Sequence, residues 1–204
     1  MEKRKITIIM LFTTTAIALS GCNLVNADTP TNSHSAKPST ASESPTVDAK
    51  KYKAASADGP AENVIVPKIP AVAKEKSQEG ASAFAKYYFD LVNYTIETND
   101  VEPLTEVTSK DCIVCGVSII DEATEAKRLG KWQVGGMHHA KILDSNLTGK
   151  NQAAVIVAYT ADKAQIYLAE NDMSSELDVL ELTTVSVEMK YNHGWKVHEI
   201  VSTE

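Results

Sequence analysis

Two cysteines three residues apart, Cys112-x-x-Cys115, are the sharpest chemical feature of this sequence. On a helix, side chains at i and i+3 share a face, so the two sulfurs can meet. Three chemistries are open to such a pair. In an oxidising compartment the expected one is a local disulfide that pins the start of a helix. A thiolate at a helix N-terminus has a depressed pKa, so a redox pair is the second, although no preceding strand of a βαβ unit accompanies the motif. Metal ligation is the third. Two cysteines would need His or carboxylate partners, and the nearest histidine, His138, lies 23 residues beyond Cys115. The sequence therefore leads us to expect neither a metal site nor a cofactor.

His138-His139 is a second candidate. Neighbours on a strand point to opposite faces, so both imidazoles do not easily reach one ion. One is expected to be solvated and the other half-buried. His193 falls in a turn and His198 lies beside Glu199, and both read as surface residues. Asp90, Asp144, Glu188 and Glu199 are carboxylates available for acid/base work, but strict alternation turns Glu188 outward. No catalytic residue is assigned. Five of the twelve aromatics (Phe84, Tyr87, Tyr88, Phe89, Tyr94) crowd one segment, which reads first as core. Asn93-Tyr-Thr95 and Asn146-Leu-Thr148 match a glycosylation pattern by chance spacing. No phosphate loop, nucleophile elbow or dinucleotide fingerprint appears.

The 204 residues that carry these groups are 43 % hydrophobic and 23 % charged, an ordinary globular balance that hides three different materials. Met1–Lys5 is a short basic start, and residues 6–19 are uncharged and largely apolar. Fourteen helical residues span about 21 Å, short of the roughly 20 residues of a membrane span, so a signal-peptide core is the better reading. Leu19-Ser20-Gly21-Cys22 follows directly. This order resembles the lipobox of bacterial lipoproteins, which implies cleavage before Cys22 and diacylation of its sulfur. Two acyl chains anchor stably where one does not. The resemblance implies a protein held at the outer face of the cell membrane through lipid on Cys22.

Residues 22–70 are rich in Ser, Thr, Ala and Pro, and hold six of the seven prolines. Such a stretch buries too little apolar surface to offset its ordering entropy and is expected to be a disordered tether, with a reach of about 40 Å. Its charges cancel, five acids against five bases. Residues 1–21 carry +2, so residues 71–204 hold −9, from 12 Lys+Arg against 21 Asp+Glu. An acidic domain without a basic patch is a poor partner for nucleic acid, and none is expected.

Within 71–204, apolar residues at 81, 84, 85, 88, 91, 92, 95 and 96 predict a helix over 77–98. Pro103 opens a short helical turn. Ser109 is a candidate N-cap for a second long helix, 111–129, burying Cys112, Cys115, Ile119, Ala123 and Ala126. Strand patterns follow at 132–144, 151–167, 180–191 and 195–201. The 151–167 segment is apolar on both faces and so expected to be central. Helices first and strands after argue an α+β domain, with helices packed on one face of an antiparallel sheet of about four strands.

Glu79-Gly80-Ala81-x-x-Phe84-x-x-Tyr87-Tyr88-Phe89, Asn93-Tyr94, Thr98-Asn-Asp100, Cys112-x-x-Cys115, Gly135-Gly136 and Gly194-Trp195-Lys-Val197 extend this reading. With the element order, they resemble the nuclear-transport-factor-2-like (cystatin-like) fold, a cone of curved sheet around a long helix. More narrowly they resemble an actinobacterial lipoprotein family of unknown function. The fold resemblance implies a pocket at the open end of the cone, with Tyr88, Trp132, Tyr159 and Trp195 as candidate lining. Three functions follow. The first is a binding or interaction module for a small hydrophobic ligand or an envelope protein. The second is an acid/base enzyme of isomerase or dehydratase type acting on a small hydrophobic substrate in the pocket. The third is a thiol-redox accessory using Cys112 and Cys115.

Overall fold

The computed structural model describes residues 51–203. Cys22, the signal segment 1–21 and the expected tether as far as residue 50 lie outside the described residues.

A 3-10 turn, Val72–Lys74, leads into α1, Gln78–Thr98. Ser77 caps α1, its Oγ accepting from Gly80 N at 3.0 Å. The apolar stripe predicted from the 3.6-residue period is buried: Ala81, Phe84, Ala85, Tyr88, Leu91 and Val92. Asn99 ends the helix in the left-handed conformation (φ 54°), its N–H donating to Thr95 O. The turn before α1 crosses so close to Gly80 that a Cβ there would meet Glu75 O at 2.1 Å.

α2 spans Glu102–Glu106, with a proline in its first turn. The expected second long helix is interrupted. It consists of α3, Ile113–Cys115, a π-helical stretch, Gly116–Asp121, and α4, Glu122–Arg128. Its N-cap is Cys112, whose Sγ accepts from Cys115 N, while Ser109 serves one step earlier by accepting from Asp111 N.

Seven strands follow: β1 Trp132–Gly135, β2 His138–Gly149, β3 Gln152–Ala161, β4 Ala164–Ala169, β5 Asp172–Leu177, β6 Leu180–Tyr191 and β7 Trp195–Ser202. They form two antiparallel sheets, β2-β3-β6-β7 and β1-β4-β5. The α+β class with a curved antiparallel sheet stands, and the 151–167 segment is central as far as residue 161, β3 lying between β2 and β6. Two segments expected as single strands each split in two. The chain breaks at Gly135-Gly136, with φ +79° and +78°, and again between Ala161 and Ala164. Because β1 pairs with β4 and β2 with β3, the two breaks bend one long ribbon and turn its upper half into the second sheet. β5, an exposed edge strand, has no apolar alternation and was not predicted.

The core lies between α1 and the four-stranded sheet, where Val155, Val157, Val187, Met189, Trp195 and Val197 meet Phe84, Tyr88 and Leu91. Residues 51–70 depart from the expected tether. Lys53 and Glu62 exchange backbone bonds, as do Ser56 and Gly59, closing a small hairpin. The indole of Trp132 donates to Ser56 O at 2.8 Å, and Asn171 N donates to Ala57 O. Ile69 packs on the core. The Ser/Ala/Pro composition hides this strap because much of its hold on the domain is through backbone carbonyls, with the Tyr52 hydroxyl donating to Glu97 and Ile69 packing beside them. The expected boundary at residue 71 therefore moves back to residue 51 or before.

Candidate functional site

Cys112 and Cys115 form a disulfide, as the helix spacing allows. Both are buried, at 3 % and 0 % exposure. An exchanging disulfide must admit an attacking thiolate in line with one sulfur, so this burial suits a clasp and not a redox pair. Among the described residues no group of three or more His, Cys, Asp or Glu is placed to hold a metal ion.

A groove of about 760 Å³ opens where the two sheets part. Val92, Thr95 and Ile96 of α1 line it on one side. The π-helical stretch and α4 contribute Val117, Ile119 and Ala123, and the second sheet contributes Trp132, Ala164, Ile166 and Leu177. π-helical turns are frequent at functional sites. The volume is that of a small-molecule pocket.

Of the four aromatics expected to line a pocket, only Trp132 does so. Tyr88 is fully buried among the core residues, and burial pushes its phenol up to about 12, with the Thr108 hydroxyl acting the other way. Its hydroxyl makes no hydrogen bond of good geometry. Trp195 is buried beneath the turn before α1, its indole donating to Glu75 O at 2.8 Å and its ring set edge-on to Tyr191. Tyr159 is half-buried against Phe89 and His138. The space between α1 and the sheet is filled because Phe84, Tyr88, Phe89 and Leu91 project from the buried face of the helix. The free volume moves to the mouth, where the ribbon bends away.

His138 connects the groove to the rest of the domain. It lines the groove and also a second, polar cavity of about 510 Å³ between α1 and β2. Asn93 clamps its backbone from both sides: His138 N donates to Asn93 Oδ1 at 2.7 Å, and Asn93 Nδ2 donates to His138 O at 2.9 Å. The ring packs against Phe89 and Tyr159, and its Nδ1 is buried without a partner. Burial, then the nearby His139, lowers its pKa, so the imidazole is neutral at neutral pH. His139 points the other way, as alternation requires, and its Nε2 meets Asp162 Oδ1 at 2.9 Å on the surface.

The four candidate carboxylates stay out of the groove. Asp90 pairs with Lys86, and Asp144 accepts from Ser145 N and Asn146 Nδ2. Glu188 and Glu199 are exposed opposite each other on β6 and β7. His193 is exposed in the last turn, and Lys190 Nζ lies 2.8 Å from His198 Nε2. The carboxylates that do line the groove, Asp121, Glu122, Glu125, Asp162 and Asp178, were missed. So were Ile166, Leu177 and Leu180. The available signal was the apolar run around Val117 and Ile119, both of which line the groove.

Three solved structures are similar in architecture. The intermembrane space region of the chloroplast protein ARC6 is 15 % identical, with a TM-score of 0.46 over 63 % of this chain and 99 % of that one. A Novosphingobium aromaticivorans protein bearing the name scytalone dehydratase is 15 % identical, with a TM-score of 0.37 over 59 % and 82 %. A periplasmic fragment of TraM is 10 % identical, with a TM-score of 0.39 over 64 % and 99 %. No activity is carried over from them. No curated protein matches the sequence. A family model described as a family of unknown function, DUF6318, matches residues 50–200, from the strap through the last strand, and the chain belongs to that family.

Proposed function

We propose that this is a lipid-anchored protein of the outer membrane face whose domain is a binding module, with the groove as the place where a small, mainly apolar ligand sits. The anchoring rests on the Leu19-Ser20-Gly21-Cys22 lipobox behind its basic and apolar leader, in keeping with the resemblance to actinobacterial lipoproteins. One observation carries the binding reading: beside a core filled by side chains, an apolar-walled groove of about 760 Å³ stays open. Among the described residues no helix is long and apolar enough to cross a membrane.

Cys22→Ala is expected to move the protein from the membrane fraction to the soluble one. Unchanged fractionation ends the anchoring reading. For the groove, a neutral solvatochromic dye is expected to bind the full-length chain. Val117→Trp, which adds bulk at an exposed lining position, should displace the dye without lowering thermal stability. Equal dye binding by the variant and the parent would place the ligand elsewhere.

One observation favours a second reading. His138, neutral and in the groove wall, is a proton acceptor next to a cavity, the requirement for acid/base chemistry on a small hydrophobic substrate. Among the described residues no group holds its Nδ1, however, and a catalytic imidazole needs an orienting partner. Binding is therefore the reading we adopt. Turnover of a small enolisable ketone that is abolished by His138→Phe would reverse that choice.

A further inference from the structure

We infer that the ligand of the groove is cationic: a soluble small molecule with an apolar body and a positively charged head. This rests on the groove being the binding site, as proposed above.

Apolar side chains line the groove at every depth, Val117, Leu177 and Leu180 being exposed at its mouth. The inner wall is apolar, formed by Val92, Ile96, Ile119, Ala123, Ala164 and Ile166, each buried or half-buried. The charged lining residues are nearly all acidic. Asp121, Glu122, Glu125, Asp162 and Asp178 are all solvent-exposed and so form the rim, and they face a single base, Lys131. A ratio of five acids to one base is far more skewed than the 21 to 12 of residues 71–204. Two rim acids have local partners, Glu125 with Arg128 and Asp162 with His139. Asp121 and Glu122 form no ion pair among the described residues, although Lys127, Arg128 and Lys131 lie close in sequence. Asp178 has Lys163 within electrostatic reach, so the uncompensated negative charge at the mouth is that of Asp121 and Glu122.

Charge lining a concave mouth raises the local concentration of ions of opposite sign, and repels those of like sign. A carboxylate-bearing ligand of the same shape pays that repulsion. A neutral one gains only the apolar wall. An amine places its body against the wall and its head among Asp121, Glu122 and Asp178. The size of the well sets the scale at one small molecule and not a folded partner.

The test uses three probes with the same body: 4-phenylbutylamine, 4-phenylbutanol and 4-phenylbutyrate. They are titrated by calorimetry into the full-length Cys22→Ala chain, with Trp132 emission as a second readout. The amine is expected to bind about tenfold more tightly than the alcohol, and the carboxylate more weakly than either, at low ionic strength. Near 1 M salt, where the screening length falls to about 3 Å, the amine and alcohol should converge. Replacing the rim acids together (Asp121→Asn, Glu122→Gln, Asp178→Asn) should abolish the amine's advantage over the alcohol. All three positions are exposed, so the variant keeps its core. Equal affinity for amine and alcohol overturns this inference and leaves the groove reading standing. Failure of all three probes to bind overturns both.

Discussion

One sheet serves two ends of this domain in opposite ways. At the end built on the first half of α1, everything is closed. Phe84, Tyr88, Val155, Val187 and Val197 are at most 1 % exposed. Trp195 and Tyr191 donate to the carbonyls of Glu75 and Lys74, and Val197 exchanges backbone bonds with Val107 and Ser109. At the end built on the second half of α1, the same ribbon bends at Gly135-Gly136 and little covers it. All six residues of β5 are exposed, and Leu177, Leu180 and Leu182 face solvent. Stability is concentrated where contacts are dense, and adaptable surface lies where they are sparse. The closed end therefore holds the fold and the open end is free to bind.

The largest test of this contrast is Tyr88→Ala. It deletes a fully buried aromatic ring and should cost about 3–5 kcal/mol, read as a lower denaturant midpoint at an unchanged slope. A cost under about 1 kcal/mol would mean that the closed end is not the core, and the comparison would fail. The disulfide comes next. Closing so short a loop contributes about 2 kcal/mol in the chain-entropy model, so the Cys112→Ala, Cys115→Ala pair should lose about that much. Because both sulfurs are buried, a mild reductant should leave the bond intact under native conditions and open it only when denaturant exposes it. Rapid native-state reduction would restore the redox reading.

Much of the closed end was legible in the sequence. A 3.6-residue apolar period over 21 residues has one helical solution, and α1, Gln78–Thr98, falls within the expected 77–98. Residues that looked like isolated motif letters turn out to be joints: Asn93 clamps the start of β2, Asn99 takes the left-handed cap, and Asp100 accepts from Tyr94 Oη. The open end was poorly legible for a physical reason. Apolar periodicity reports a buried face, and β5 has none. Residues 51–63 are held through Ser56 O, Ala57 O and the Tyr52 hydroxyl on Glu97, and neither a backbone carbonyl nor a lone tyrosine makes a periodic pattern. Pocket lining was misplaced because the aromatics expected to border a cavity were large enough to fill it.

Gly135→Ala sharpens the comparison by acting on the bend alone. Its φ of +79° is strained for any side chain, and a Cβ would stand 2.3 Å from Lys163 O. The expected cost is about 1 kcal/mol or somewhat more, and the ribbon should straighten where β1 meets β2. Dye binding in the groove should then fall by more than the loss of stability explains. A variant with full stability loss and unaltered binding would show that the bend does not shape the groove.

The smallest effect tests His138, which stands on the boundary between the two ends. Burial, with the nearby His139 charge adding to it, holds its folded pKa below the usual 6.5. The unfolded chain therefore binds its proton first as pH falls. While the unfolded state carries more protons than the folded one, stability rises with pH. The stability tied to a neutral His138 is thus fully present above pH 6.5 and is lost as pH drops from 6.5 toward the folded value. Glu125 and Glu176 also have lowered pKa values, through Arg128 and Lys163 respectively, but their loss falls below their ordinary 4.5. Thermal midpoints between pH 7 and pH 5 therefore lie outside the range of those two carboxylates, and the comparison with a variant lacking the imidazole assigns the His138 share. His138→Phe keeps a ring against Phe89 and Tyr159 and should flatten the curve over that interval. Parallel curves for the parent and the variant would mean that water reaches His138 freely, and that the open end extends past the groove into the wall that separates it from the core.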